Sequence, residues 1–220
     1  MKPYLKHLLP ILTVENNEEF VPIDNDIMHG AWEKMADMKE ITWNQIYVRK
    51  SILHLLKKAQ KDLNKQYETY KLYVTYWFRS LEIQEKYFHT RYKELQNIYP
   101  NLAEEELREK THNYVADPRV AWHPTGGAFD ILLYDIQKES FLDFWSEIFD
   151  FTNDICITKN SSISKLAQNN RNILLEVLKK QWFSNYPWER RHFSYWDRER
   201  AYRNKTSAMY EQKKVEEVLK

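Results

Sequence analysis

One stretch, AWHPTGGAFD at residues 121–130, constrains the fold of this chain more than any other. It contains two of the three glycines in 220 residues, and these two stand side by side. Adjacent glycines allow a tight turn in which the backbone passes close to a neighbouring group, because no Cβ intervenes. The apolar, β-rich run that follows at 128–134 predicts a buried strand. Asp130 would then be a carboxylate inside the core, where a charge requires a partner or a metal ion.

His123 lies on the loop that leads into this strand and is a candidate co-ligand. Zinc accepts histidine nitrogen and aspartate oxygen, so His123 and Asp130 together would suit a zinc site. A glycine turn with a capping aspartate and an unrelated histidine would contain the same residues. Taken alone, the two residues leave both interpretations open.

The composition excludes several classes of protein. Lys and Arg number 33 against 32 Asp and Glu, so nothing indicates a nucleic-acid partner. The single cysteine, Cys156, excludes an internal disulfide and a cysteine metal cluster. No stretch is long and apolar enough to span a membrane, and the apolar run at 8–12 is too short for a signal peptide. We expect one cytoplasmic domain over 1–220, or a periplasmic one if the N-terminus is incomplete, in an undetermined oligomeric state.

Hydrophobic periodicity predicts the main helices and strands around the glycine turn. The predicted helices span 51–69, 80–98 and 162–181, and the predicted strands span 71–78, 128–134 and 188–195, with a weaker β tendency at 41–48. Residues 135–154 suggest a hairpin or lid. Residues 1–25 are expected to form an irregular arm, and residues 203–220 a charged tail that is solvated over 211–220. The expected fold class is α+β, with a small, mostly antiparallel sheet flanked by helices.

Two further polar residues are placed by this pattern. Arg79 falls at the corner between strand 71–78 and helix 80–98, where side chains often face a site. A surface arginine on a loop is the alternative. His112 has no ligand partner at helical spacing, and we expect it to be a surface residue.

Three sequence blocks together resemble a known enzyme family. They are Y-x-F-R-S at 76–80, H-x-x-G-x-A-x-D at 123–130 and E-x-x-H at 189–192. Their order and separation resemble the zinc D-alanyl-D-alanine dipeptidases of the vancomycin-resistance type, in peptidase family M15. The second block matches the family in full, the third only at its two chemical residues, and the resemblance extends over about residues 26–202.

The resemblance implies a Hedgehog/D,D-peptidase-like fold and one Zn²⁺ per chain, held by His123, Asp130 and His192. It implies that Glu189 is the catalytic base and that Arg79 stabilises the transition state. The implied substrate is D-Ala-D-Ala or a similar short peptidoglycan-derived dipeptide. A D,D- or L,D-carboxypeptidase acting on longer cell-wall peptides is a second possibility, and a zinc-binding homologue that is inactive as written is a third.

The chain departs from the family pattern in a systematic way. Tryptophan stands where the family usually has glycine, and arginine stands where it has tryptophan. These positions are Trp77, Trp122, Trp145, Trp182 and Trp196, and Arg190, Arg191 and Arg200. Three glycines in 220 residues is also far below the usual share of roughly 7%.

We therefore hypothesise that the written sequence derives from a gene translated with the wrong genetic code. One glycine codon would have been rendered as tryptophan, and one tryptophan codon as arginine. If the residues are real, Trp122 and Trp145 are expected to crowd the pocket beside the metal. Arg190 and Arg191 would then weaken metal binding and lower the pKa of Glu189.

Overall fold

Residues 3–30, 36–43, 45–145 and 156–219 are described in this computed structural model, and they form an α+β fold. The strands are β1 (Phe20–Pro22), β2 (Met28–His29), β3 (Tyr47–Arg49), β4 (Tyr70–Tyr76), β5 (Ala128–Asp135), β6 (Ser140–Phe141), β7 (Ser184–Asn185) and β8 (His192–Ser194). The helices are α1 (Leu5–Leu8), α2 (Ala36–Thr42), α3 (Lys50–Asn64), α4 (Leu81–Ile98), α5 (Glu104–His112), α6 (Lys165–Lys179), α7 (Arg198–Asn204) and α8 (Val215–Val218). None of these helices is long and apolar enough to cross a bilayer.

The main sheet brings distant parts of the chain to one point. Its strand order is β2-β4-β5-β8-β7, and β6 also pairs with β5. Only the β2–β4 pair is parallel among the described strands, so the predicted α+β class with a mostly antiparallel sheet is confirmed. The register places Asp130 of β5 directly opposite Tyr76 of β4 and opposite His192 of β8. The sheet therefore supplies a fixed frame for Asp130 and His192.

Two helices cover the sheet and keep water from it. Helix α3 buries Ile52 and Leu56, and helix α6 buries Leu174 and Leu178 in the same apolar core. Each such side chain contributes about 1.5–3 kcal/mol when it leaves water. This burial makes the frame rigid enough to hold polar groups beneath it.

The predicted helices exist, but their bounds differ from the periodic pattern. Helix α4 begins after Ser80, whose Oγ accepts a hydrogen bond from the Ile83 amide at 3.4 Å, as its sequence predicts. Helix α3 ends at Asn64 rather than residue 69, because the Asn64 side-chain Nδ2 donates to the Tyr67 and Tyr70 carbonyls, both at 2.9 Å. Helix α6 begins only after Ser164, which caps it.

Two β predictions were wrong in extent. The tendency at 41–48 yields only β3, because residues 41 and 42 finish helix α2 and the Thr42 hydroxyl donates to the Met38 carbonyl at 2.8 Å. Strand 188–195 shortens to β8, and residues 187–191 form the turn that joins it to β7. The hairpin predicted within 135–154 exists as β5–β6, while residues 146–155 lie outside the described chain.

The prediction of a solvated tail over 211–220 was wrong at α8. Tyr210 and Val218 are buried, and α8 packs on the core. The Lys213 amide donates to the Pro124 carbonyl at 2.9 Å, and its own carbonyl accepts from the Leu81 amide at 2.9 Å. These hydrogen bonds hold the segment against the loop that carries His123. The mostly charged composition of the segment gave no sign of its few buried apolar residues.

Arg49 connects the N-terminal arm to the same loop, and its removal is expected to destabilise the fold. The guanidinium is buried, and its Nε donates to the Thr125 carbonyl at 2.9 Å while Nη1 and Nη2 contact Glu15 at 3.1 Å. Arg49→Ala leaves the Glu15 carboxylate without this partner and should lower the free energy of unfolding by about 3–5 kcal/mol. Urea denaturation measures this loss. Lys50→Ala, which breaks the exposed pair with Glu19, is the control and should change it by less than about 1 kcal/mol.

Candidate metal centre and active site

Asp130 lies at the centre of the candidate site. Its side chain is buried in β5, as the sequence predicts, and both oxygens have partners. Oδ1 lies 3.1 Å from His192 Nδ1 and 3.9 Å from His123 Nε2, while Oδ2 accepts a hydrogen bond from Arg191 Nε at 3.0 Å. Burial alone would raise the pKa of Asp130, but Arg191 and the two histidines lower it well below its usual range. The carboxylate is therefore ionised and able to bind a cation.

His192 is held from both sides of its ring. Its Nδ1 faces Asp130, and its Nε2 lies 3.3 Å from the Ser194 hydroxyl. Burial lowers the pKa of His192, but the hydrogen bond and charge of Asp130, with the charges of Glu189 and Asp197, outweigh it and raise the pKa. A metal ion at Nδ1 has to displace this proton, so metal binding at His192 should weaken as the pH falls.

His123 is oriented by a backbone carbonyl. Its Nδ1 lies 2.8 Å from the Trp77 carbonyl, which can only accept, so Nδ1 carries the proton and Nε2 keeps its lone pair. Burial is the main reason that the pKa of His123 lies well below its ordinary value. A neutral histidine with a hydrogen bond on its second nitrogen is the usual state of a metal ligand.

These three residues fit a zinc ion. Each of the three residues offers one ligand atom, and these atoms all lie within 4.8 Å of one another. All three residues are buried. Ligand atoms around tetrahedral zinc lie roughly 3.3 Å apart, given bond lengths near 2.0–2.1 Å. The 3.1 and 3.9 Å separations at Asp130 bracket that value. Three protein ligands leave the fourth position for water or substrate.

Glu189 reaches the same pocket because it lies in a turn. In a strand, Glu189 and His192 would face opposite sides of the sheet. The 187–191 turn removes this conflict, with the Glu189 amide bonded to the Tyr186 carbonyl at 2.9 Å and its carbonyl to the His192 amide at 3.0 Å. Glu189, His123 and Asp130 line one pocket of about 400 Å³. The charge of Glu189 also acts on His192, whose pKa it helps to raise.

Arg79 lies on the wall of this pocket, at the predicted corner between β4 and α4. Its Nε donates to the Tyr76 hydroxyl at 2.6 Å and its Nη1 to Gln84 Oε1 at 2.8 Å. The guanidinium also lies over the Tyr87 ring, 5.2 Å from its centroid. These contacts fix a cation whose charge helps to lower the pKa of His123.

Two of three further sequence-based expectations about this pocket, those for His112 and Trp145, were wrong. His112 is buried on the pocket wall and accepts a hydrogen bond from the Asp117 amide at 3.0 Å, so the surface prediction was wrong. Trp122 lines the pocket, with its ring centroid 5.3 Å from that of His192, as expected for crowding beside the metal. Trp145 is exposed and does not line this pocket, which corrects the second expectation.

Sequence reasoning missed Tyr186, which packs against the site. Its ring lies 5.9 Å from the His192 ring and 5.2 Å from that of Trp122. Burial raises the pKa of Tyr186, and the charge of Glu189 adds to this effect. No motif marks this tyrosine; its only signal was its place in the aromatic run before E-x-x-H.

Burial raises the pKa of Asp130, and Arg191 is the group that does most to lower it. Its side chain is buried and donates to Asp130, so it places positive charge beside one of the three candidate metal ligands. Arg190 is also buried, and its charge acts on Arg171, lowering the pKa of that guanidinium to about 10 together with the larger effect of burial.

Glu199 gives the fold a pH dependence that can be measured. It is buried in the first turn of α7 beside Arg203, and burial raises its pKa to about 7. The pKa of Glu199 is lower in the unfolded chain, so the folded state binds the proton of this carboxyl group more tightly. The free energy of unfolding therefore falls as the pH rises from about 4.5 to 7. We expect Glu199→Gln to remove this loss, so that its unfolding free energy relative to the wild type increases over that range in urea denaturation. For the exposed control Glu176→Gln, the plot of unfolding free energy against pH should run parallel to that of the wild type. A Glu199→Gln plot that also runs parallel to the wild type would contradict the raised pKa of Glu199.

Comparison with known proteins gives a likeness to solved structures only. No family model and no curated protein matches the sequence. Among solved structures, the chain is similar to the LdcB LD-carboxypeptidase, whose structure is described as revealing the molecular basis of peptidoglycan recognition. The identity is 19% and the TM-score is 0.42, over 74% of this chain and 66% of that one, so the match spans just under two thirds of the LdcB chain. The function therefore has to be argued from the site.

Proposed function

We propose that this chain is a zinc-dependent peptidase that hydrolyses D-Ala-D-Ala or a similar short peptidoglycan-derived dipeptide. The observation that carries the proposal is that His123 and Asp130, which form one group with the buried His192, line the same pocket as Glu189 and Arg79. The resemblance of the three sequence blocks to zinc D,D-dipeptidases supports the same chemistry.

Each residue has a role that its position allows. His123, Asp130 and His192 would hold the ion, which when bound polarises the scissile carbonyl and acidifies water. Glu189 would take a proton from the attacking water and deliver it to the leaving amine. Arg79, fixed by Tyr76 and Gln84, would donate to the oxygen that becomes negative in the transition state.

The pocket favours a small substrate. Its volume of about 400 Å³ lies toward the lower end for ligand sites, and Trp122 and Tyr186 form part of its wall. The pocket wall carries both signs of charge, on Arg79 and Glu189. A dipeptide carries charged ends of both signs within a short length.

Release of free D-Ala from D-Ala-D-Ala tests the proposal. The purified chain is assayed with added zinc and again after a chelator, with L-Ala-L-Ala and a peptidoglycan pentapeptide as alternative substrates. We expect chelator-sensitive release from D-Ala-D-Ala alone. Release from the pentapeptide in its place would instead support a D,D- or L,D-carboxypeptidase.

A zinc-binding protein without catalysis is the second candidate, because the buried cationic residues Arg190 and Arg191 directly follow Glu189 in the chain and would oppose its action as a base. Stoichiometric zinc binding without hydrolysis of any of these peptides would support this candidate. Absence of zinc binding would contradict both proposals.

A further inference from the structure

Four tryptophans have backbone conformations that favour glycine. Trp43, Trp145, Trp182 and Trp196 have φ angles of 55°, 67°, 67° and 55°. Seven non-glycine residues of the described chain have positive φ, and tryptophan accounts for four of them. Asn and Asp are the usual exceptions to the glycine rule in this region, whereas a bulky side chain there is an outlier.

Trp182 occupies the position that ends helix α6. Its amide donates to the Lys179 carbonyl at 3.0 Å, and the Phe183 amide donates back to the Leu178 carbonyl at 3.3 Å. Helices that end with a left-handed residue in this way normally use glycine, because other side chains are strained there.

Trp43 directly follows helix α2, whose last residue is Thr42, and it also has a left-handed backbone. The side chain of Trp43 is 85% exposed and that of Trp182 is 73% exposed. Packing therefore does not offset the strain at either residue. Neither residue lines the pocket that contains His123, so catalytic strain does not account for them.

The other two tryptophans lie in tight turns. The Trp145 amide donates to Asp143 Oδ1 at 2.7 Å, which closes a turn after β6. Trp196 lies between β8 and α7, and its carbonyl accepts from the Met209 amide at 2.8 Å. Both turns require a left-handed residue, and glycine adopts that conformation at no steric cost.

We propose that residues 43, 145, 182 and 196 are glycine in the protein as its source organism makes it, through one reassigned codon. The left-handed φ angles are independent of any family pattern, and they add position 43, which the family pattern did not indicate. It also explains the scarcity of glycine, since Gly126 is the only described glycine with positive φ.

The masses of peptides from the native protein decide the proposal. Protein purified from its source is digested, and peptides containing the four positions are measured alongside the codons of the gene. We expect glycine at all four positions and one shared codon other than UGG. Tryptophan in any of the four peptides, or a UGG codon at any position, would overturn the proposal.

Stability of the written chain gives a second, physical test. Trp43→Gly and Trp182→Gly remove exposed side chains and left-handed strain, and each is expected to raise Tm by about 2–4 °C. Tyr99→Gly is the matched control, since Tyr99 is an exposed aromatic residue with φ of −124°, and it should lower Tm. A fall in Tm for both tryptophan variants, comparable to that of Tyr99→Gly, would contradict the requirement for glycine.

Discussion

Glu189→Gln is expected to lower kcat for D-Ala-D-Ala hydrolysis by about 10²–10⁴-fold, the usual contribution of a general base. The amide keeps the size of the side chain and the 187–191 turn, whose described hydrogen bonds use the backbone of Glu189. It cannot accept a proton from water at neutral pH. Because Glu189 is outside the group that could hold the metal, zinc stoichiometry and affinity should stay the same.

Two measurements separate this role from a structural one. Zinc content by mass spectrometry and kcat are determined on the same preparation, with the exposed Glu176→Gln as a control that should match the wild type in both. A Glu189→Gln protein with full activity would exclude the residue as the base. Loss of zinc together with activity would show that Glu189 maintains the metal site.

Arg191→Gln is expected to tighten zinc binding by about tenfold or more, which corresponds to about 1.4 kcal/mol. Arg191 donates to Asp130 Oδ2 in a buried ion pair, so its charge opposes a cation at the same carboxylate. Glutamine removes the charge and keeps a donor near Asp130. The dissociation constant is measured by competition with a chelating dye, independently of any peptidase activity.

The opposite result has a distinct meaning. Groups that hydrogen-bond a ligating carboxylate often orient it, and their loss weakens metal binding by about 10–100-fold. A weaker affinity in Arg191→Gln would therefore make Arg191 a positioning residue for Asp130 rather than a competitor of the metal. Lys138→Gln removes one exposed positive charge and should leave the affinity unchanged, which controls for net charge.

Local sequence patterns predicted the structure correctly where a residue's environment depends on its neighbours in the chain. The glycine pair and the apolar run after it predicted a buried strand containing Asp130, and Ser80 predicted the start of helix α4. Periodicity succeeded here because an alternating or helical pattern is a property of consecutive residues. It failed at the C-terminus, where a few buried residues such as Tyr210 anchor a segment that is mostly charged.

The sequence by itself determined which side chains could act as metal ligands, base or cation. The three sequence blocks also predicted which of these side chains belong to one site. Only the tertiary structure decided that they meet, since the pairing of Asp130 with His192 depends on the register of two strands far apart in the chain. Likewise, the 187–191 turn aims Glu189 into the pocket, and the fold presses the Arg191 guanidinium against Asp130. Such contacts depend on the long-range packing of the sheet, which no pattern of consecutive residues encodes.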